Sequence, residues 1–193
     1  MKAISMGKEL MSNCKKTILK NMLVDMIVAT VLAAAILFFI RPTIVNGESM
    51  ANTLHNGDYL IMARQAYSKH DPEKGDIVII QSTLTDCESG KDKFIVKRIV
   101  GVPGDVIAIR NNTLYLNNQK YIEEYIKDGI TPAVDIPEDG NSVIVPDGCY
   151  YVLGDNRCNS TDSRSSEVGF ISRSDIKGKV VVRLYPFSKI RSF

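Results

Sequence analysis

The feature that most limits the fold of this chain is an apolar segment over residues 22–40, in which only Asp25 and Thr30 are polar. A helix of that length covers about 28 Å at about 1.5 Å per residue, which is close to the thickness of the hydrocarbon core of a bilayer. Asp25 lies in the first turn, where its carboxylate can reach the interface and favour the helix N-terminus. The sequence therefore predicts one transmembrane anchor over 22–40.

The charges that flank this segment predict its orientation. Five lysines precede it, whereas Arg41 alone follows directly. The lysines are Lys2, Lys8, Lys15, Lys16 and Lys20. Basic flanks stay in the cytoplasm, so we expect residues 1–21 to be a cytoplasmic tail and residues 41–193 to form an extracytoplasmic domain of a single-pass protein of the cell membrane.

A cleavable signal peptide is the alternative interpretation of the same segment. Its apolar stretch is too long for a typical signal-peptide core, and it ends in Phe38-Phe39-Ile40-Arg41-Pro42 without a pair of small residues to cut after. The segment is therefore expected to remain as an anchor.

Composition excludes several classes of function. The first forty residues carry a net charge of +3 and the remainder carries −1, with no basic block, so nucleic acid is not an expected partner. The four cysteines, at 14, 87, 149 and 158, include no C-x-x-C pair, and the chain has only two histidines, so neither a metal site nor another cofactor is expected. Three cysteines follow the anchor and allow at most one disulfide among Cys87, Cys149 and Cys158, whose pairing the sequence leaves open.

The chain after Pro42 alternates runs rich in Val, Ile and Tyr with Gly, Asn, Asp and Pro, a pattern typical of strands and turns. We therefore expect a mainly β domain built on an antiparallel sheet, with one N-terminal transmembrane helix. Asn111-Asn112 and Asn117-Asn118 predict turns, the first a tight hairpin, and 122–141 is expected to be an irregular surface excursion. The predicted strands are Tyr59–Ala63, Asp76–Gln81, Phe94–Gly101, Val106–Arg110, Thr113–Leu116, Ser142–Val145, Tyr150–Leu153 and Val180–Tyr185.

Ser49 is the first candidate for chemistry. It lies a few residues after the anchor, between Gly47 and Met50, and is followed by the turn signal Asn56-Gly57-Asp58. A hydroxyl in a stretch rich in Gly and Asn is usually a structural cap, so Ser49 becomes a candidate nucleophile only if a base is available to activate it.

Lys97 could be that base. It stands in the middle of a predicted strand among branched aliphatic residues, where an ammonium is costly unless it is paired or deprotonated. A neutral amine near a serine hydroxyl can take its proton. The alternative is a lysine on an edge strand that reaches solvent along its aliphatic stem.

A third cluster, residues 154–164, combines two Asp/Arg pairs with several hydroxyl groups. Such a composition is usually a solvated loop that bonds to itself. Its alternative role is support: Asp162 and Arg164 could fix the loop by a salt bridge while Ser160 orients the lysine amine.

These three clusters, in this order and behind an uncleaved anchor, resemble the bacterial type I signal peptidases, membrane-bound serine/lysine endopeptidases that remove signal peptides. The resemblance rests on Gly47-Glu48-Ser49-Met50 with Thr53-Leu54 and Gly57-Asp58, on Val96-Lys97-Arg98 with Gly101-Val102-Pro103-Gly104-Asp105, and on Gly154-Asp155-Asn156-Arg157 with Ser160, Asp162, Ser163 and Arg164.

The resemblance implies a β-rich catalytic domain with Ser49 as nucleophile and Lys97 as general base for both halves of an acyl-enzyme reaction. It implies two kinds of partner, the lipid bilayer and exported preproteins with small residues at the first and third positions before the cut. The supporting residues it implies are Gly154, Asp155, Ser160, Asp162 and Arg164.

The Ser49 N–H is the expected first donor to an oxyanion. Some family members add a serine hydroxyl at the position of Gly47, so the second donor is left open here. Asn52 stands where the family usually has proline, which predicts a looser turn. Our candidates for lining small apolar pockets that accept alanine are Val45, Met50, Leu54, Leu60, Ile95 and Leu153, and for each an ordinary place in the core is the alternative.

Other functions compete with this interpretation. A specialised peptidase that processes pilins would use the same residues, whereas a self-cleaving repressor-type protease has no use for the anchor. A tethered, non-catalytic β module that binds a partner is a different class. That class predicts an ordinary pKa for Lys97 and a Ser49 that resists acylating reagents.

Overall fold

The structure, a computed structural model, describes residues 2–85, 92–126, 129–135 and 142–193. The chain divides into two units, residues 1–39 and 40–193. The first unit contains the helix α1 (Lys2–Phe39), whose part Lys16–Phe39 is long and apolar enough to cross a membrane. The helix ends one residue before the predicted boundary because Ile40 already belongs to the first strand.

The second unit is built from strands, so the predicted mainly β fold is confirmed. The strands are β1 (Ile40–Ile44), β2 (Tyr59–Ala63), β3 (Ile77–Thr85), β4 (Asp92–Gly101), β5 (Val106–Arg110), β6 (Thr113–Leu116), β7 (Gln119–Lys120), β8 (Val143–Ile144), β9 (Cys149–Leu153), β10 (Ile171–Ser172), β11 (Ile176–Tyr185) and β12 (Arg191–Ser192). Short 3-10 helices cover Arg157–Asn159, Arg173–Asp175 and Phe187–Lys189.

Two antiparallel sheets make up this unit. The larger has the strand order β1-β2-β11-β3-β4-β9-β10, with β12 beside β11, and the smaller has the order β7-β6-β5-β8. Strand β9 serves both cores because its side chains alternate between two faces. Tyr150 and Val152 join the core of the larger sheet, and Tyr151 and Leu153 join the core beneath the smaller one.

Both Asn-Asn pairs form two-residue hairpin turns. All four asparagines have positive φ angles, between 48° and 64°, as a type I′ turn requires. The first turn joins β5 to β6 and the second joins β6 to β7, so these three strands form a meander with turns that the local sequence determines.

The predicted surface excursion over 122–141 is only partly correct. Residues 122–126 and 129–135 form no strand, and residues 127–128 and 136–141 lie outside the described residues. The Glu123 side chain is only 3% exposed and Thr131 only 2%, because both pack against Arg157. This stretch is therefore partly buried against the third cluster.

Among the cysteines, Cys149 is half-buried and Cys158 is exposed, and both are free thiols. Cys87 lies outside the described residues.

Candidate active site

Ser49 lies in the loop between β1 and β2, residues 45–58. Two backbone hydrogen bonds close the base of the loop: Val45 N donates to Asp58 O and Gly57 N donates to Val45 O, both at 2.9 Å. The apolar side chains that anchor the loop on β2 and β3 are Val45, Met50 and Leu54. Ser49 itself stays half-buried, within reach of a substrate.

Lys97 lies in β4 opposite Val78 and is 3% exposed. Its Nζ donates a hydrogen bond to Ser49 Oγ at 2.7 Å. Burial lowers the pKa of Lys97 from 10.5 to about 8, a shift that the Asp162 carboxylate opposes and the Arg164 guanidinium reinforces. An amine with this pKa can exchange a proton with the serine near neutral pH.

The backbone around Ser49 offers one donor to a developing oxyanion. Within the described part of the chain, the structure gives no acceptor to the Ser49 N–H. The Gly47 N–H, in contrast, donates to Asn56 Oδ1 at 3.0 Å. The second donor is therefore not supplied by the Gly47 N–H as the loop stands.

Asp162 is the electrostatic centre of the third cluster and is 1% exposed. Its Oδ1 accepts from Arg164 Nε at 2.8 Å, and its Oδ2 accepts from the Gly154 N–H at 3.0 Å. Arg164 is equally buried and also donates to the carbonyls of Pro132 and Arg157. The expected salt bridge is thus present, and it fixes the backbone of the cluster at several points.

The hydrogen bond of Ser160 in the structure differs from the expected contact with the lysine amine. The Ser160 hydroxyl donates to Asp162 Oδ2 at 2.7 Å, and among the described residues no hydrogen bond joins it to Lys97. An ionised carboxylate is a strong acceptor because of its charge, so the Ser160 hydroxyl donates to it.

Asp155 is completely buried and is held by the residue that follows the lysine. Arg98 Nε and Nη2 donate to its two oxygens at 2.9 and 2.6 Å, and Thr53 Oγ1 donates to it at 2.5 Å. A bidentate guanidinium pair of this kind fixes orientation as well as charge. Strand β4, the nucleophile loop and the third cluster therefore meet at one carboxylate.

Gly154 packs directly against the nucleophile loop. A Cβ at this position would lie 2.5 Å from the Ser49 carbonyl oxygen and would overlap the Ser160 side chain. The same carbonyl accepts a hydrogen bond from Asn156 N at 2.9 Å. Of the supporting residues predicted from the resemblance, Gly154 thus packs against the backbone of Ser49.

Asn52 does not produce the looser turn that was expected. Its side-chain amide donates to the Asp155 carbonyl at 2.9 Å and ties the nucleophile loop to the third cluster. A side-chain hydrogen bond replaces the backbone restraint of a proline here.

A cavity of about 90 Å³ opens beside Ser49. Of the six predicted pocket residues, Val45 and Met50 line it. The other four are in the core and do not line it: Leu54, Leu60, Ile95 and Leu153. Ile95 does not line the cavity because successive side chains in a strand point to opposite faces. Its two neighbours in β4, Phe94 and Val96, line the cavity instead.

Thr53 and Arg98 are the main site residues that sequence reasoning did not assign. A signal for Arg98 was present, since a second basic residue inside an apolar strand needs a buried partner as much as Lys97 does. Thr53 carried no such signal because its partner, Asp155, is 102 positions away in the sequence.

An antiparallel β domain in which a buried lysine amine meets a serine hydroxyl has the parts of a serine endopeptidase whose base is a lysine. A family model described as signal peptidase, peptidase S26, matches residues 18–185. This chain belongs to that signal peptidase family.

Known relatives match nearly the whole chain. Signal peptidase I of Bacillus licheniformis is 34% identical over 190 residues, which cover 94% of this chain and 98% of the relative. A signal peptidase I of Bacillus amyloliquefaciens is 37% identical over 170 residues, covering 86% and 84%. A crystal structure of a signal peptidase I from Enterococcus faecalis matches with 27% identity and a TM-score of 0.43, covering 56% of this chain and 96% of that one.

Proposed function

We propose that this protein removes N-terminal signal peptides from exported preproteins, with Ser49 as the nucleophile and Lys97 as the general base. The observation that carries the proposal is the 2.7 Å hydrogen bond between the buried amine and the serine hydroxyl, in a chain of the signal peptidase family. The lowered pKa of Lys97 supports it, because a non-catalytic binding module has no need of a lysine whose pKa is shifted toward neutral pH.

In the first half-reaction, neutral Lys97 takes the proton from Ser49 Oγ as this oxygen attacks the carbonyl carbon of the scissile peptide. The Ser49 N–H, which has no acceptor among the described residues, stabilises the negative charge that develops on the carbonyl oxygen. The Lys97 ammonium then gives its proton to the leaving nitrogen. The C–N bond breaks, the mature protein leaves, and the signal peptide remains as an ester on Ser49.

In the second half-reaction, the same amine activates a water molecule. The water oxygen attacks the ester carbonyl, Lys97 takes its proton, and the proton passes to Ser49 Oγ as the ester bond breaks. One amine can serve both steps because it is neutral again after each one.

Selection of small side chains is expected from the cavity beside Ser49. Its volume of about 90 Å³ leaves little room, and Phe94 and Val96 bound it with apolar surface. A cavity of this kind discriminates by size, so we propose alanine-like residues at the first and third positions before the cut.

We further propose that α1 anchors the enzyme with its N-terminus in the cytoplasm and Ser49 outside. The apolar part Lys16–Phe39 and the lysines of the N-terminal segment support this orientation. The bilayer is then a partner of the anchor, and substrates reach the site from the outer side.

The test is cleavage of a preprotein by the full-length enzyme in detergent or vesicles. Ser49→Ala and Lys97→Ala should each reduce the rate by about a thousandfold or more, and the double variant should be no slower, because groups that act as one unit are not additive. Ser68→Ala and Lys69→Ala, which change an exposed serine and an exposed lysine, are the matched controls and should cleave normally. Normal cleavage by Ser49→Ala would rule the mechanism out.

A further inference from the structure

The segment between β7 and β8 contributes buried polar groups to the third cluster. We call residues 121–126 and 129–135 the bridging segment. None of them belongs to the three sequence clusters, yet side chains or carbonyls of the segment contact Arg98, Arg157 and Arg164. These are the arginines that hold the supporting backbone and carboxylates of the site.

Glu123 makes the strongest of these contacts. Its side chain is 3% exposed, and its Oε1 accepts from Arg157 Nη2 at 2.6 Å and from the Tyr125 hydroxyl. The Arg157 side chain is 1% exposed, so Glu123 supplies the counter-charge of a guanidinium that has almost no access to water. Thr131 accepts a further hydrogen bond, from Arg157 Nη1 at 2.5 Å.

Arg157 in turn holds the backbone that touches the nucleophile loop. Its Nε donates to the Gly154 carbonyl at 3.0 Å. Gly154 packs against the Ser49 carbonyl, and Asn156 N donates to that same carbonyl at 2.9 Å. Hydrogen bonds therefore lead from Glu123 through Arg157 to the backbone of residues 154–156, which packs against the Ser49 carbonyl and donates a hydrogen bond to it.

Tyr125 provides a second connection. The centroid of its ring lies 3.9 Å from the guanidinium carbon of Arg98, the arginine that holds Asp155 with two hydrogen bonds. The Tyr125 hydroxyl is bonded to Glu123, so one carboxylate orients both Arg157 and the ring that covers Arg98.

From these contacts we propose that Glu123 is a positioning residue of the active site, one that holds Gly154 and thereby the Ser49 backbone through Arg157. The proposal rests on the proposed function and deepens it. Glu123 touches no reacting atom, so its removal should slow the chemical step more than it weakens substrate binding.

The principal test uses the full-length enzyme with Glu123→Gln, which keeps the shape and removes the charge. At a temperature well below the unfolding midpoint of the variant, we expect kcat to fall about tenfold while KM changes less than twofold. The pH midpoint of kcat/KM should stay where it is in the parent, because Lys97 keeps its own neighbours. Glu124→Gln is the matched control, since it removes the same charge from an exposed neighbour, and it should leave kcat unchanged.

A second pair of variants keeps the test decisive if Glu123→Gln does not fold. Thr131→Val removes the other side-chain acceptor of Arg157 with little change of shape, and Tyr125→Phe removes only the hydroxyl bonded to Glu123. Each should lower kcat about threefold, and the two changes combined should be less than additive because both act through Arg157. Parental kcat in both folded variants would overturn the proposal.

A folded Glu123→Gln enzyme with parental kcat and a lower unfolding temperature would overturn the proposal, because the residue would then be structural only. A rise in KM without a fall in kcat would also overturn it. Failure of the proposed function is recognised separately, since either the parent enzyme would not cleave the preprotein or Ser49→Ala would cleave it as fast as the parent, whatever the Glu123 variants do.

Discussion

Gly154 and Ser49 approach each other so closely that a Cβ on residue 154 would lie 2.5 Å from the Ser49 carbonyl oxygen. The same Cβ would overlap the Ser160 side chain, so there is no space for a methyl group at this position. The nucleophile loop and the third cluster therefore fit together only when residue 154 has no side chain.

Gly154→Ala should consequently move Ser49 away from Lys97 and lower kcat about a hundredfold, since displacement by about 1 Å can cost that much. Gly148→Ala is the control, because Gly148 has φ +69° and open space around it. That change should cost about 1–2 kcal/mol of unfolding free energy through its left-handed backbone but leave the folded enzyme active. Thermal unfolding and peptide cleavage measured on both variants separate the two effects, and a Gly154→Ala enzyme within threefold of the parent would contradict the packing argument.

The pH dependence of cleavage should follow Lys97. Burial lowers the pKa of this lysine to about 8, and only the neutral amine can accept the serine proton. We therefore expect kcat/KM to rise with pH to a plateau, with a midpoint near the pKa of about 8. Lys97→Arg should be inactive throughout, because a guanidinium stays protonated over this range. A pH–rate profile that is flat between pH 6 and 10 would argue against a lysine base.

Asp162 should tune that midpoint, and Ser160 should not. From sequence alone we expected the reverse, with Ser160 touching the amine and Asp162 only supporting the loop. In the structure the Asp162 charge raises the pKa of Lys97 while Arg164 lowers it, and Ser160 is bonded to Asp162. Asp162→Asn should therefore lower the kinetic pKa and reduce kcat, because it removes the attractive charge and weakens the hold on Gly154.

Ser160→Ala is the control for this comparison and should leave the kinetic pKa close to the parent value. The measurement is a pH–rate profile of each variant under conditions where both are folded. A kinetic pKa that moves in Ser160→Ala and stays fixed in Asp162→Asn would restore the assignment made from the sequence.

The sequence predicted the bounds of Tyr59–Ala63 and of two strands with local stop signals. Val106–Arg110 and Thr113–Leu116 end where expected because Asn111-Asn112 and Asn117-Asn118 favour positive φ. Strand β1 was missed because the apolar anchor continues into Ile40 and Pro42 argues against a strand. In the structure β1 is the edge strand of its sheet, where a proline is tolerated.

The residues of the candidate site could also be predicted only in part from the sequence. Ser49 and Lys97 could be selected from their local sequence and from the resemblance, but the direction of a side chain depends on long-range packing. Ile95 was selected as a pocket residue from its place beside the motif, whereas in the paired strand β4 its neighbour Val96 faces the cavity. Glu123 could not be selected as a site residue, because its local sequence does not indicate that it pairs with Arg157, 34 positions away.

Membrane orientation is the next prediction. If the N-terminal lysines hold the N-terminus in the cytoplasm, protease added to intact spheroplasts should digest the domain from residue 45 onward and spare an epitope placed at Met1. Permeabilised cells are the control, in which both parts become accessible. Protection of the domain in intact spheroplasts would reverse the orientation and remove the proposed substrates from reach.

The last prediction concerns which residues set the size of the accepted side chain. Val96 lines the cavity beside Ser49, while Ile95, its neighbour in β4, packs in the core of the larger sheet. Val96→Ala should enlarge the cavity and raise kcat/KM for valine relative to alanine at the first position before the cut by roughly tenfold, the scale on which a hydrophobic pocket distinguishes one or two methyl groups. Ile95→Val should lower the free energy of unfolding by about 1 kcal/mol and leave that ratio unchanged, because its missing methyl lies on the other face of the strand. Competition between the two peptides gives the ratio directly. An unchanged ratio in Val96→Ala, or a changed ratio in Ile95→Val, would mean that this cavity does not select substrates by side-chain size.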